Sequence, residues 1–295
     1  MATQPSISSS ESPDSSPLST ISLDGGRQLA YATYGDPDGT PVVFLHGTPG
    51  SRRLGGVLAS AAEAHGIRLL APDRPGYGDS DAWPDRTMSD AGKFVTAVLD
   101  DVGVESAGLV AFSGGGPHAL ATAATHPDRV TRVDIVGGAT PPEVTGQYPP
   151  VQRVLVGLAS TTPTLLGGLL RGQSMLAKRL APAFVIAQYT GENGAEGIPD
   201  AVAAVVKDDF LTAFAHTAAG AVTELSLTAA EWGIDLANVD ADTCLWHGDS
   251  DTNVPLADAR RLCARLPNAE IRVLPDADHL RSLLRSADDV LERHG

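Results

Sequence analysis

Short runs of β-branched and aliphatic residues alternate with longer stretches in which apolar positions return every three or four places, and the alternation starts near Ile21. Runs of the first kind predict strands and stretches of the second kind predict helices. Residues 28–34, 41–45, 67–71, 108–112, 130–136, 243–246 and 270–274 read as strands. Several of them, 67–71, 108–112 and 130–136 above all, are almost continuously apolar, the pattern of strands covered on both faces of a parallel sheet. The clearest helix covers residues 89–102, where Ala91, Phe94, Val95, Val98, Leu99 and Val102 share one face. Thr87 and Asp90, three places apart, supply an N-terminal cap for it. The fold class that follows is α/β, a mostly parallel sheet flanked by helices.

The rhythm breaks after Gly138, and no convincing strand returns until Thr243. Residues 140–232 are therefore expected to form a helical cap inserted into a core made of 21–139 and 233–295; a bundle that merely covers an edge of the sheet would look the same in sequence. Residues 1–20 are crowded with Ser and Pro, lack the basic and apolar segments of a secretory signal, and are expected to be a disordered tail. The apolar stretch 154–170 is bracketed by Arg153 and Arg171 and interrupted by Gly157, Pro163, Gly167 and Gly168, which makes it too short and broken to span a bilayer.

Composition narrows the partners. The chain has 295 residues and 42% hydrophobic content, enough to bury a large core, and a formal net charge of −15. That charge repels polyanions at long range, so neither nucleic acid nor an anionic membrane surface is an expected partner unless a local basic patch overrides the average. The two cysteines, Cys244 and Cys263, have no metal-ligand spacing. They are expected to be buried reduced thiols, and with nothing else demanding an oxidising compartment the expected location is cytoplasmic. The oligomeric state is not written in these features.

Candidate chemistry lies at strand ends. After the strand ending at Phe112 comes Ser113-Gly114-Gly115-Gly116-Pro117 and then a helix-forming run. A serine in a tight strand-to-helix turn needs small residues two places on either side, and Ala111 and Gly115 stand there, Ala replacing the first Gly of the Gly-x-Ser-x-Gly elbow. An ordinary glycine-rich turn or a phosphate-cradling loop would share the composition, but no Lys follows the glycines as a P-loop requires. After the strand ending at Leu45, the compact turn His46-Gly47-Thr48-Pro49-Gly50-Ser51 exposes backbone N–H groups. Those of Thr48 and Gly114 are the candidates for an oxyanion hole, while His46 reads as a scaffold residue. No paired His with Glu, no EF-hand-like acidic loop and no dinucleotide fingerprint is present, so neither a metal nor an organic cofactor is expected.

A third segment, Asp73-Arg74-Pro75-Gly76-Tyr77-Gly78-Asp79-Ser80, and a fourth, Trp246-His247-Gly248-Asp249-Ser250-Asp251-Thr252-Asn253-Val254-Pro255, complete a set of four in one order. With them the chain resembles the α/β-hydrolase superfamily from about Ile21 to its C-terminus. The resemblance implies Ser113 as nucleophile, Asp251 as the acid of a triad, with Asp249 as nearby rival, and His279 as base, in the chain order Ser, Asp, His. The other acid position used in that superfamily, after the strand ending at Val136, holds Gly137, Gly138 and Ala139. Thr48 in place of a second glycine departs from the His-Gly-Gly-Pro-Gly of proline iminopeptidases, and serine at 113 departs from the aspartate of epoxide hydrolases and haloalkane dehalogenases.

The expected activity is cleavage of small, largely apolar carboxylic esters, thioesters or lactones through an acyl-enzyme, under a lid drawn from Val154, Leu155, Val156, Leu158, Leu165, Leu166, Leu169, Leu170, Phe184, Val185 and Ile186. Tyr189, Phe210 and Phe214 would line a pocket or a helix seam. The same residues could serve a cofactor-free lyase, a perhydrolase or a biosynthetic cyclase, and the scaffold could also serve a non-catalytic ligand-binding protein.

Overall fold

The predicted apolar runs all lie in strands of one sheet, and the computed structural model describes residues 18–146, 149–191 and 194–295. The strands are β1 (Leu18–Ser22), β2 (Gln28–Gly35), β3 (Thr40–Leu45), β4 (Ile67–Pro72), β5 (Ala107–Phe112), β6 (Val130–Val136), β7 (Asp242–Gly248) and β8 (Ala269–Leu274). The helices are α1 (Ala59–Ala64), α2 (Ala91–Asp101) and α3 (Gly116–Thr125). Then α4 (Pro150–Thr161), α5 (Pro163–Arg179), α6 (Ala183–Ile186), α7 (Asp200–Ala213) and α8 (Ala219–Ala229) all lie between β6 and β7, and α9 (Leu256–Cys263) and α10 (His279–Glu292) close the chain.

Spatial order across the sheet is β1-β2-β4-β3-β5-β6-β7-β8, antiparallel at β1/β2 and β2/β4 and parallel throughout the rest. Both faces are covered. Along β5, Val110 and Phe112 enter one apolar cluster while Leu109 and Ala111 enter the other; Val42 and Phe44 of β3 part from Val43 and Leu45 in the same way. Successive strand residues point to opposite faces, so a run with helices on both sides must be apolar at every position. Each such leucine or phenylalanine contributes roughly 1.5–3 kcal/mol by leaving water.

From β3 the chain turns outward to β4, then jumps back across β3 to β5. The loops after β3 and β5 thus leave in opposite directions and open a crevice at the strands' carboxyl ends, where open α/β sheets bind ligands. His46–Ser51 follows β3 and Ser113 follows β5.

Two expectations change. Strand β1 begins at Leu18, inside the segment read as a tail: its residues 18–22 pair with 28–32 of β2, and backbone pairing rather than apolar content earns it a place in the sheet. The rest of that segment, residues 1–17, lies outside the described residues. Cys263 is only half-buried, whereas Cys244 is fully buried, and both are free thiols. The apolar stretch 154–170 is split where Thr162 and Pro163 end α4 and start α5. Among the described residues no helix is long and apolar enough to cross a membrane.

Candidate active site

Ser113 has φ +52°, one of two non-glycine residues with positive φ among those described. Left-handed backbone costs a serine on the order of 1–3 kcal/mol, and such strain persists where the surroundings impose it. Here β5 ends at Phe112 and a 3-10 turn, Ser113–Gly115, leads straight into α3. Small neighbours are obligatory. A methyl on Gly115 would lie 2.2 Å from the Leu45 carbonyl oxygen, and one on Gly114 would lie 2.1 Å from the Thr48 hydroxyl oxygen. Ala111, by contrast, is inside β5 between Leu45 and Ile135, fully buried, and its methyl joins the core. The Ala that departs from the elbow pattern therefore costs the turn nothing.

The Asp251–His279 pair is formed. His279 opens α10, and its Nδ1 lies 2.6 Å from Asp251 Oδ2. Asp251 Oδ1 accepts the backbone N–H groups of Asn253 (2.8 Å) and Val254 (3.0 Å). Burial alone would push this carboxyl up, but His279 and the donated N–H bonds outweigh it and hold Asp251 below its ordinary range. An ionised Asp251 requires the facing Nδ1 to carry a proton and leaves Nε2 as the ring nitrogen turned away from it. Its rival Asp249 is exposed and accepts bonds from Ser250 Oγ and the Asp276 N–H instead.

Gly137, φ +56°, leaves the space this pair occupies: a methyl there would lie 2.9 Å from His279 Nδ1 and 3.3 Å from Asp251 Oδ2. The His279 ring rests 4.8 Å from that of Phe112, the residue before Ser113, and parallel to that of Tyr189 at 6.4 Å. Among the described residues no hydrogen bond joins the Ser113 hydroxyl to His279.

Thr48 and Gly114 face one another across the crevice; a methyl on Gly114 would stand 3.2 Å from the Thr48 nitrogen. Gly114 is the second residue of the turn leading into α3, where backbone N–H groups have no partner within the helix. His46 behaves as a scaffold: Nδ1 donates to the Gly47 carbonyl at 2.8 Å, and Nε2 accepts the Arg74 N–H at 3.2 Å, which fixes a neutral tautomer. Burial pushes His46 well below the usual histidine range and takes His118 down to about 3. His247 is also lowered by burial, and its Nε2 donates to the Val254 carbonyl, 2.8 Å away.

The cleft beside Ser113 has a cavity volume of about 90 Å³. Thr48, Thr140, Thr145, Gln152, Thr228 and Asn253 supply its polar wall; Val156, Leu225, Val254 and Pro255 supply the apolar one. This corrects the expected greasy lid, of which only Val156 reaches the cleft. Leu166, Leu170, Val185 and Ile186 are buried in the core, while Val154, Leu165 and Leu169 face outward. Phe210 and Phe214 pack edge to face on each other, 5.2 Å apart. Among the described residues the wall carries no Lys or Arg, and its one carboxylate, Asp258, is bonded to Arg261.

Sequence reasoning passed over Glu224 on α8. Its fully buried carboxylate receives Arg74 Nε and Nη2 (2.7 Å each), Arg86 Nη2 (3.2 Å), the Tyr77 hydroxyl (2.9 Å) and the Thr48 hydroxyl (2.7 Å). The signal was there: Glu224 is the one Asp, Glu, Lys or Arg between Asp209 and Glu231.

With this geometry in hand, the model of the alpha/beta hydrolase fold family matches residues 40–285, and the chain belongs to that family. It is similar to a non-heme chloroperoxidase, CPO-A1, of Kitasatospora aureofaciens, 27% identical and covering 86% of this chain and 89% of that one. A 2-hydroxy-6-oxononadienedioate/2-hydroxy-6-oxononatrienedioate hydrolase of Paraburkholderia phymatum is 30% identical over 87% of each chain. Among solved structures, the enol-lactonase of Burkholderia xenovorans LB400 superposes with a TM-score of 0.70 at 21% identity, covering 93% of this chain and 97% of that one. These likenesses support a hydrolase acting on a small molecule.

Proposed function

We propose that the protein is a serine hydrolase of small uncharged carboxylic esters, thioesters or lactones, with Ser113 as nucleophile, His279 as base, Asp251 as its orienting acid and the N–H groups of Thr48 and Gly114 as oxyanion hole. The observation that carries this reading is a serine forced to φ +52° at the sheet's switch point, directly after Phe112, whose ring lies 4.8 Å from that of the buried, Asp251-bonded His279. The Ser113 oxygen attacks the carbonyl carbon and its proton passes to His279 Nε2, which the hydroxyl must approach to hydrogen-bonding distance as substrate binds. Negative charge on the former carbonyl oxygen falls between Thr48 and Gly114. Collapse expels the alcohol or thiol, which takes the proton from His279, and water then releases the acid from the acyl-enzyme. The segment 140–232 serves as the cap over this site.

A wall without cations favours a neutral substrate over the dicarboxylates named for the Paraburkholderia relative. Intact-protein mass after treatment with a fluorophosphonate tests the nucleophile: one adduct on wild type and none on Ser113→Ala is expected, together with loss of turnover on short p-nitrophenyl esters. Absence of a wild-type adduct, or full activity in Ser113→Ala, overturns the assignment.

A second reading, transfer of the acyl group to hydrogen peroxide to give a peracid, draws on the likeness to the chloroperoxidase. Hydrolysis in ¹⁸O-labelled water places the label in the carboxylic acid, and peracid formation does not.

A further inference from the structure

Arg74 follows β4, Glu224 sits on α8, and Thr48 belongs to the turn after β3, so three separate parts of the chain meet here. The fork of Arg74 points two ways. Toward α8 it grips Glu224 bidentately, and both side chains are 0% exposed. Toward the turn, Nη1 donates to the His46 carbonyl, and Nη2 donates to the Gly47 carbonyl (3.1 Å) and the Thr48 hydroxyl oxygen (3.1 Å). Thr48 in turn gives its hydroxyl proton to Glu224.

In a planar trans peptide the carbonyl of one residue and the N–H of the next point in opposite directions. With the Gly47 carbonyl drawn toward Arg74, the Thr48 N–H must point away from it. Gly114 packs closely on Thr48, a methyl there standing 2.1 Å from its hydroxyl oxygen and 3.2 Å from its nitrogen. The Thr48 hydroxyl, committed to Glu224, is not free to donate to substrate, which leaves the backbone N–H as this residue's donor.

We infer that Arg74 and Glu224 are positioning residues that aim the Thr48 N–H into the cleft, so that the oxyanion hole is complete only when α8 is seated. The inference rests on the hydrolase reading above. It goes beyond that reading by making a residue of the inserted helices a determinant of the chemical step. Leu225 and Thr228 of α8 line the cleft, so the helix that seats the donor also bounds the substrate. Other groups facing the Glu224 carboxylate are Arg86, Tyr77 and His118, whose Nε2 is 3.4 Å from Oε1. Parting so many buried polar groups is costly, which holds α8 in place at the cleft.

Thr48→Val removes the hydroxyl leg and keeps the N–H; Arg74→Lys keeps the charge opposite Glu224 and loses the fork that holds the two carbonyls. Each is compared with wild type for kcat and KM on a short p-nitrophenyl ester, for the rate of fluorophosphonate labelling and for Tm. A misaimed donor lowers kcat by about tenfold to a hundredfold. KM should stay within about twofold, because the donor acts in the transition state. Labelling slows in step with kcat, and Thr48→Ser recovers most of the loss. Unchanged kcat in folded Thr48→Val and Arg74→Lys overturns the inference while the hydrolase reading stands. A rise in KM alone also overturns it, and a wild type with neither turnover nor labelling overturns both.

Discussion

Gly137 is a glycine because of what stands beside it. Its φ of +56° and the 2.9 Å left between a methyl and His279 Nδ1 mean that Gly137→Ala must move the imidazole or the strand end that carries residue 137. A fall in kcat/KM of about tenfold or more is expected, since small misplacements of a catalytic group are expensive; steady-state kinetics on a short ester measures it. The two aspartates near the end of β7 separate as sharply. Asp251→Asn keeps the shape but favours the wrong tautomer of His279, and should cost about a thousandfold or more in kcat. Asp249→Asn, on an exposed side chain whose amide oxygen still accepts the same two bonds, should stay within about twofold by the same assay. Sequence named Ser113, Asp251 and His279 because each stands at a fixed offset from a strand in a recognisable segment. It marked Glu224 only as a lone charge in an otherwise uncharged stretch and could not name its four partners, which distant parts of the chain contribute.

A buried carboxylate helps to dock helix α7, beside the core residues Val206 and Phe210. Asp209 Oδ1 accepts the N–H of Ser51 (2.6 Å), the hydroxyl of Ser51 (2.9 Å) and the N–H of Leu54 (3.2 Å), tying the helix to the turn after β3. Burial pushes its pKa up to about 8. The folded chain therefore holds a proton that the unfolded chain releases near pH 4, and between those two values stability falls as pH rises. Asp209→Asn cannot titrate. Its Tm should decline less than that of wild type from pH 5 to pH 8, measured by scanning calorimetry in matched ionic strength, and an equal decline removes Asp209 as the cause. At this scale β2 to β8 were legible to within one or two residues, since a doubly covered strand must be apolar throughout, whereas β1, held by backbone pairing, was not. The start of the helix over residues 89–102 was legible too. Thr87 donates its N–H and hydroxyl to Asp90, though the first turn, Met88–Asp90, is 3-10 and α2 itself begins at Ala91. Helices α4 to α8 fall within the segment read as helical, but what each one faces was not legible, because an apolar helical face does not say whether it meets the core, a cleft or water.

Across the whole molecule, the buried cluster around Glu224 binds the inserted helices to the sheet. Glu224→Ala leaves two guanidinium groups buried without their counter-charge and should destabilise by roughly 3–5 kcal/mol, read from the urea midpoint at constant m-value. Burial alone would raise the Glu224 carboxyl, yet Arg74 and Arg86 hold it well below the ordinary range, so this contribution is present above about pH 4.5 and is lost as pH falls through the depressed value. Alternating apolar runs and helical periods dictated the sheet, its order of elements and the strand ends at which loops leave, because those follow from local geometry and the need to bury apolar surface. Where the loops after β3 and β5 diverge, which of two nearby aspartates turns inward, which apolar helix residues line the cleft, and which charges are buried together depend on contacts between residues up to 176 positions apart. No window of sequence contains both partners of such a contact, so only the assembled chain could decide them.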